Sequence, residues 1–140
     1  MSGGERFGTR DLTFSRWHRS ERHGGVLPEW CSAIDIDFCE YCAFCKKPLA
    51  LIELARDVGQ PSKPTTVLEN LSRLSGVPAY CILYTGQDPD VIVAARIRRV
   101  QPNPTAFEHV DEDELKARIT RFHTRCDCIG AQRKFGRAAA

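Results

Sequence analysis

The sequence predicts an α/β or α+β fold in which a central mixed sheet of about four strands is flanked by helices. One observation is a strict alternation of apolar and acidic residues from Ile34 to Phe38, which is typical of a strand. A second is a pair of nearly continuous apolar runs at 49–55 and 79–85, which is typical of buried strands. A helical pattern separates these runs, so we expect a crossover connection and a parallel strand pair. With 140 residues, of which 42% are hydrophobic, the chain is long enough for one core.

The N-terminal part is polar. Residues 1–10 are rich in glycine and predict a flexible arm. A short helix is expected from about 15 to 22, with Ser15 as a possible N-cap and Trp17 as an apolar anchor. Its basic residues favour either a phosphate-contacting helix or a solvated face; they are Arg16, His18, Arg19, Arg22 and His23.

A hairpin then carries a pair of candidate ligands for a divalent cation. If the hairpin is symmetric about Cys45, Asp37 on its first strand and Glu53 on its apolar second strand face each other, with Cβ atoms roughly 5 Å apart. Facing carboxylates can hold a hard cation such as Mg²⁺, and a buried glutamate needs a partner or a metal. The alternative is that Asp37 is solvated and Glu53 pairs with an arginine. Asp35 and Glu40 are further candidate ligands.

The remaining helices and strands are predicted from helix-capping residues and from apolar patterns. Thr66 and Glu69 have the capping-box spacing of a helix that Gly76 ends. Strands are expected at 79–85 and 91–101, joined by a turn at 86–90.

Asp111 is expected to begin the last helix, with a capping box to Glu114 and an apolar stripe formed by Leu115, Ile119 and Phe122. We therefore expect a single domain over 11–128, followed by a basic C-terminal tail over 129–140 without a core-forming pattern.

Four cysteines have the spacing of a zinc knuckle. The chain has seven cysteines and no secretion signal, which favours reduced thiols with some on metal. Cys42 and Cys45 form a CxxC pair, and Cys126 and Cys128 form a CxC pair, so together they predict a closed, structural Zn²⁺ site. Free surface thiols and an iron–sulfur cluster are the alternatives. Cys39 and His123 are substitute ligands, whereas Cys31 and Cys81 are expected in the core.

Charge and hydropathy give further indications. The net charge is only +2, but arginine outnumbers lysine by 15 to 5, and arginine is the better clamp for phosphate. Arg96 and Arg98 share a strand face and either contact a nucleic-acid backbone or form a solvated face. No apolar stretch is long enough to cross a membrane and no signal peptide is present, so we expect a cytoplasmic protein.

The order of these motifs resembles the PD-(D/E)XK nuclease superfamily, in particular small nuclease-like proteins of actinobacterial bacteriophages. The resemblance rests on Asp37 in a hairpin, Glu53 in its apolar second strand, a helix, and a buried strand in GVPAYCILYT. It implies a restriction-endonuclease-like fold and Mg²⁺ or Mn²⁺ on Asp37 and Glu53. The superfamily has a lysine two residues after the glutamate, where this chain has Ala55, and Lys63 in the loop GQPSKPTT is expected to supply the amine.

The resemblance implies a metal-dependent nuclease that hydrolyses phosphodiester bonds in DNA, in the host cytoplasm if a phage encodes it. A second interpretation is a catalytically inactive nuclease-fold module that binds nucleic acid or a protein partner. A third is a zinc-stapled phage protein with a structural or host-interaction role. The sequence does not predict an oligomeric state.

Overall fold

The computed structural model describes residues 11–87 and 90–136. The predicted N-terminal arm, part of the predicted turn at 86–90 and the end of the predicted C-terminal tail lie outside these residues. The chain divides into two compact units, one up to Asp35 and the other from Ile36 onward.

The first unit contains helix α1, Thr13–Arg22. The helix begins two residues earlier than predicted, and Ser15 is not its N-cap. Instead, the Asp11 side chain accepts a hydrogen bond from the Thr13 backbone N–H at 2.9 Å. No residue of α1 is buried, so its aromatic anchor Trp17 is half exposed.

The second unit is built on a five-stranded mixed sheet with strand order β1-β2-β3-β4-β5. The β2–β3 pair is parallel, as predicted, and the other neighbouring pairs are antiparallel. The elements in chain order are β1 (Phe38–Tyr41), β2 (Pro48–Arg56), α2 (Thr66–Ser75), β3 (Ala79–Gln87), β4 (Val91–Gln101), β5 (Glu108–Asp111), α3 (Glu112–Thr124) and α4 (Ile129–Phe135).

Each face of the sheet has its own apolar core. Ile52, Ile82 and Ile97 lie on one face, where Leu115 and Phe122 of α3 pack against them. The opposite face includes Leu51, Cys81, Leu83 and Val100, packed with Leu68 of α2. Alternation along β2 therefore places Glu53 on the face that α2 covers. The two apolar runs of the sequence supply the inner strands of this sandwich.

Several boundaries differ from the sequence prediction. Residues 34–37 are not in a strand, and β1 begins only at Phe38. The fifth strand, β5, was not predicted. The cap of α2 is Thr65 rather than Thr66, and its hydroxyl bonds the Glu69 carboxylate at 3.2 Å. Two predicted caps are confirmed: Gly76 ends α2 in the left-handed region, and Asp111 accepts a hydrogen bond from the Glu114 backbone N–H.

The segment after Cys128 also differs from the expected tail. It begins with α4, and Ala131 of this helix is buried against Cys42 and Cys126. Within the described ranges, no helix has the length and hydropathy that crossing a bilayer requires.

Candidate functional site

Asp37, Glu53 and Lys63 form one cluster, which we call the acid–lysine cluster. The β1–β2 ladder pairs Phe38 with Ile52, so continuing the register by one residue sets Asp37 opposite Glu53, as the hairpin symmetry predicts. The Leu54 backbone N–H donates to Asp37 Oδ2 at 3.0 Å and fixes this carboxylate at the end of the strand pair.

Lys63 reaches this pair of carboxylates from the loop before α2. Its Nζ lies 2.7 Å from Glu53 Oε1 and 2.9 Å from Asp37 Oδ2. Lys63 also donates to the Leu54 carbonyl oxygen at 2.7 Å. Three oxygens of β1, β2 and their flanking chain thus surround a single amine. Glu53 is 5% exposed, whereas about a third of the Asp37 and Lys63 side chains is exposed, so the cluster opens to solvent on one side.

The environment shifts the pKa values of the two carboxyl groups in opposite directions. Burial and the neighbouring Asp37 raise the pKa of Glu53, although Lys63 acts against this shift. Burial also acts to raise the pKa of Asp37, but hydrogen bonds with Glu53, Lys63 and the Leu54 amide outweigh it and lower that pKa. Burial lowers the pKa of Lys63 less than the two carboxylates raise it, so the amine stays protonated at neutral pH.

The loop that carries Lys63 is anchored to β4 by Arg96. The Arg96 guanidinium binds the Asp57 carboxylate through two contacts of 2.8 Å, and it donates to the Gln60 carbonyl at 2.8 Å. A bidentate arginine–carboxylate pair is strong because both hydrogen bonds join charged groups and lie parallel to each other. Because the loop 57–65 is held at Asp57 and at Thr65, Lys63 is presented towards β2.

The two arginines predicted to contact nucleic acid lie on the α2 face. Arg96 is committed to Asp57, and both guanidinium groups lie over the Phe107 ring, 5.2 and 5.6 Å from its centroid. Arg98 also approaches the Thr65 hydroxyl at 3.4 Å. Their present contacts are internal, and nucleic-acid binding by Arg96 and Arg98 stays a prediction.

At the other end of the hairpin, Cys42, Cys45, Cys126 and Cys128 form what we call the four-cysteine cluster. Their Sγ atoms all lie within 4.8 Å of one another. The Cys42–Cys128 and Cys45–Cys126 sulfurs are 3.7 Å apart. A tetrahedral zinc with Zn–S bonds of about 2.3 Å has S···S edges of roughly 3.8 Å. The four cysteines can therefore hold a metal such as zinc.

The surroundings of the four-cysteine cluster shift the pKa values of two of its thiols in opposite directions. Backbone N–H groups of Cys45 and Phe44 lower the pKa of Cys42 to about 6 against the effect of burial. At Cys126 the Cys128 backbone N–H lowers the pKa, but burial and the other three cysteines raise it to about 12. The cluster thus contains one readily ionised thiol beside one that needs a cation to ionise.

Helix α4 closes the four-cysteine cluster. Cys128 is its N-cap, and the Cys128 sulfur accepts a hydrogen bond from the Ala131 backbone N–H at 3.3 Å. Gly130 permits close packing, because a Cβ added there would lie 2.7 Å from Phe44 Cβ. A glycine two residues after the second cysteine pair was the sequence signal for this contact, and the prediction of a tail missed it.

The other candidate residues have different partners. Glu40 and His123 bind each other, with 2.6 Å between Oε1 and Nε2, so they tie β1 to α3. Cys39 is exposed and outside the four-cysteine cluster. Cys81 is fully buried, as predicted, whereas Cys31 is only half-buried in the first unit.

Sequence reasoning did not identify the Leu54 carbonyl or the Asp57–Arg96 anchor as parts of the acid–lysine cluster. A backbone oxygen leaves no mark on the sequence, and the ion pair joins residues 39 positions apart. No protein-family model, curated protein or solved structure matches this chain.

Proposed function

We propose that the protein is a metal-dependent nuclease-like enzyme that hydrolyses phosphodiester bonds in DNA at the acid–lysine cluster. The observation that carries this proposal is the convergence of Asp37, Glu53 and Lys63, with both carboxylates within 2.9 Å of the amine. The chain lacks a lysine two residues after Glu53, yet an amine from the next loop reaches the same carboxylates. A partly buried ion pair such as Lys63–Glu53 adds little net stability to a fold, so stabilisation alone does not account for this arrangement.

The donor set fits Mg²⁺ or Mn²⁺. Asp37, Glu53 and the Leu54 carbonyl offer three oxygens, which are the ligands that hard cations prefer. When bound, the metal supplies Lewis-acid activation of the phosphodiester and of water. Asp37 and Glu53 would hold it, and the Leu54 amide keeps the Asp37 carboxylate oriented. Because Lys63 now contacts all three oxygens, the amine has to move aside when a metal binds.

Lys63 would act as a cation rather than as a base. Its pKa is raised by the two carboxylates, so it carries a proton that it can donate in a hydrogen bond. A protonated amine beside the scissile phosphate stabilises the negative charge that develops in the transition state. The Arg96–Asp57 pair would serve as a positioning contact, because it holds the loop from which Lys63 extends.

We also propose that zinc occupies the four-cysteine cluster as a structural ion. All four positions of a tetrahedron are taken by protein sulfurs, which leaves no open position for a substrate. This zinc would join the β1–β2 turn to the segment before α4 and so support the hairpin that carries Asp37 and Glu53.

The test is cleavage of fluorescently labelled linear DNA by the zinc-loaded protein with Mg²⁺ or Mn²⁺. Asp37→Asn, Glu53→Gln and Lys63→Gln are each expected to lower the rate by about a hundredfold or more, since each removes a ligand or charge from the transition state. Lys116→Gln is the matched control, because Lys116 forms only an exposed pair with Glu112 on α3. Equal cleavage by all variants, or none by the wild type, contradicts the catalytic proposal.

A second variant tests whether Lys63 takes the role of the lysine that the resembled superfamily has at the position of Ala55. Ala55 is half-exposed on the same face of β2 as Glu53. Adding Ala55→Lys to Lys63→Gln is expected to restore part of the cleavage rate, because the new amine extends from the position that the superfamily uses. No recovery, with the double variant folded as the wild type is, would count against the assigned role of Lys63.

The alternative function is a catalytically inactive nuclease-fold module. The observation that favours it is that Lys63 already satisfies both carboxylates, so the cluster is neutralised without metal. This hypothesis predicts DNA binding that weakens as salt rises, without cleavage in Mg²⁺ or Mn²⁺. Titration of Mn²⁺ with calorimetric detection separates the two, because the inactive module does not bind the ion at this cluster.

A further inference from the structure

A cavity with a strongly basic lining lies on the α3 face of the sheet. Its volume is about 320 Å³, which is within the lower range of small-ligand sites. We call it the arginine cavity. Its charged lining residues are Arg99, Arg118, Arg121, Arg125 and Glu108, together with Arg98, whose guanidinium lies over Phe107 on the α2 face. None of the residues of the acid–lysine cluster lines it.

The arginines of the cavity differ in how far they are already engaged. Arg118 is held between Glu108 at 2.6 Å and Glu114 at 2.9 Å, and Arg121 approaches Glu114 at 3.6 Å. The Arg99 Nε–H donates to the Asn103 carbonyl at 3.2 Å, and its two terminal nitrogens have no hydrogen-bond partner within residues 11–87 and 90–136. Among the described residues, no hydrogen bond or ion pair engages the Arg125 guanidinium.

The cavity therefore contains an excess of positive charge with free donors. The engaged pair of Arg118 and Glu108 is internally neutral, whereas Arg99 and Arg125 keep unfilled donor positions. A planar guanidinium group can donate two parallel hydrogen bonds to two oxygens of one phosphate. A phosphate monoester carries about two negative charges, so two guanidinium groups bind it more tightly than one.

An aromatic pair forms an apolar part of the same lining. The rings of Tyr80 and Phe122 are 4.9 Å apart between centroids, and both side chains are half-buried. A neighbouring cavity of about 460 Å³ shares these two residues and Arg125, and it continues to Lys47. Lys47 is paired there with Asp127 at 3.8 Å, so the second cavity adds no net positive charge, but the two rings offer an apolar surface beside the arginines.

We propose that the arginine cavity binds the phosphate monoester of a nucleotide, with the phosphate on Arg99 and Arg125 and the base against the Tyr80–Phe122 pair. The monoester can come from a free mononucleotide or from the 5′ end of a DNA strand. The cavity lies on the opposite face of the sheet from Glu53, so this binding does not need the metal of the acid–lysine cluster or its catalysis.

The test measures fluorescence anisotropy of a short single-stranded DNA labelled at its 3′ end, with the zinc-loaded protein at neutral pH in buffer without Mg²⁺, Mn²⁺ or a chelator. A 5′-phosphorylated strand is expected to bind about tenfold or more tightly than the same strand with a 5′-hydroxyl, as charge-assisted hydrogen bonds to phosphate allow. Thymidine monophosphate and inorganic phosphate are added separately as competitors, and an acidic peptide serves as a third.

The double variant Arg99→Gln/Arg125→Gln should lose the preference for the 5′-phosphate. Arg73→Gln is the matched control, because Arg73 lies on α2 and contacts only the neighbouring Asn70. Circular dichroism and thermal unfolding check that the double variant is folded, and Arg125→Gln alone replaces it if it is not.

Each outcome decides the proposal. Preference for the phosphorylated strand that only the cavity variant loses supports it, with a strand end as the source. Binding of thymidine monophosphate alone, again lost in the variant, supports it with a free nucleotide as the source. Equal binding of both strands and no binding of the mononucleotide overturn it, as does binding of the acidic peptide alone. Because the assay contains no Mg²⁺, failure of the nuclease proposal leaves this result unaffected.

Discussion

The two ends of the β1–β2 hairpin carry clusters with opposite electrostatic balance. The four-cysteine cluster joins two distant segments: its close pairs, Cys45–Cys126 and Cys42–Cys128, are 81 and 86 residues apart in the sequence. It contains no positive group of its own. The acid–lysine cluster consists of two carboxylates and one ammonium, so it is nearly neutralised by its own residues. This contrast predicts that a metal stabilises the four-cysteine cluster, whereas the acid–lysine cluster is balanced by its own residues and a metal there would have to compete with Lys63.

The largest expected effect is at the four-cysteine cluster. Cys126→Ser should abolish zinc binding and lower the free energy of unfolding by more than about 3 kcal/mol, because the binding energy of a structural zinc is folding energy. Zinc content and thermal unfolding, with and without a chelator, measure this. Cys39→Ser is the matched control, since Cys39 is on the same hairpin and outside the cluster. If the two variants unfold at the same temperature, zinc does not stabilise the four-cysteine cluster.

A smaller effect on stability is expected when the positive charge of Lys63 is removed from the acid–lysine cluster. Lys63→Met leaves Asp37 and Glu53 facing each other without a counter-charge, which should destabilise the fold by about 2 kcal/mol for a half-exposed cluster. Mg²⁺ should then raise the melting temperature of the variant more than that of the wild type, because the ion no longer competes with the amine.

Lys116→Met is the control for this measurement, since it removes one positive charge from an exposed pair on α3. A Mg²⁺ response that is the same in all three proteins would mean that the two carboxylates do not form a cation site. A response confined to Lys63→Met would show that the amine and the metal share the same three oxygens.

The difference between the clusters also explains which of them the sequence could predict. Cys42 and Cys45 have a spacing that few other structures require, and a second pair at Cys126 and Cys128 completes the donor set. Asp37 and Glu53 were predicted from the alternation of the hairpin and its symmetry about Cys45. The register Phe38–Ile52 agrees with the symmetry, but residues 34–37 do not form the alternating strand.

What the sequence did not predict depends on long-range packing. Strand β5 has only four residues, EHVD, and it pairs with β4 because of the sheet edge rather than because of its own pattern. Helix α4 is seven residues long, too short for a recognisable stripe, and it is held by Ala131 and Gly130 against the four-cysteine cluster. The Arg96–Asp57 pair joins a strand to a loop that no local rule connects.

The smallest expected effect is the pH dependence of the two carboxyl groups, and it separates their roles within the acid–lysine cluster. The pKa of Glu53 is raised from 4.5, so the folded state holds this proton more tightly than the unfolded state. Its contribution to the free energy of unfolding therefore falls as pH rises through the interval above 4.5. Glu53→Gln lacks this decline, and its stability relative to the wild type should rise with pH.

Asp37→Asn should show the opposite slope. The pKa of Asp37 is lowered from 3.8, so its contribution to stability is present above that value and is lost as pH falls below it. Urea unfolding of both variants and the wild type across the acidic range measures the two slopes, and the pH dependence of the four-cysteine cluster cancels because all three proteins contain it. Slopes of the same sign would mean that the two carboxyl groups have equivalent environments. Opposite slopes would mark Asp37 as the charged ligand and Glu53 as the group whose ionisation needs Lys63 or a metal.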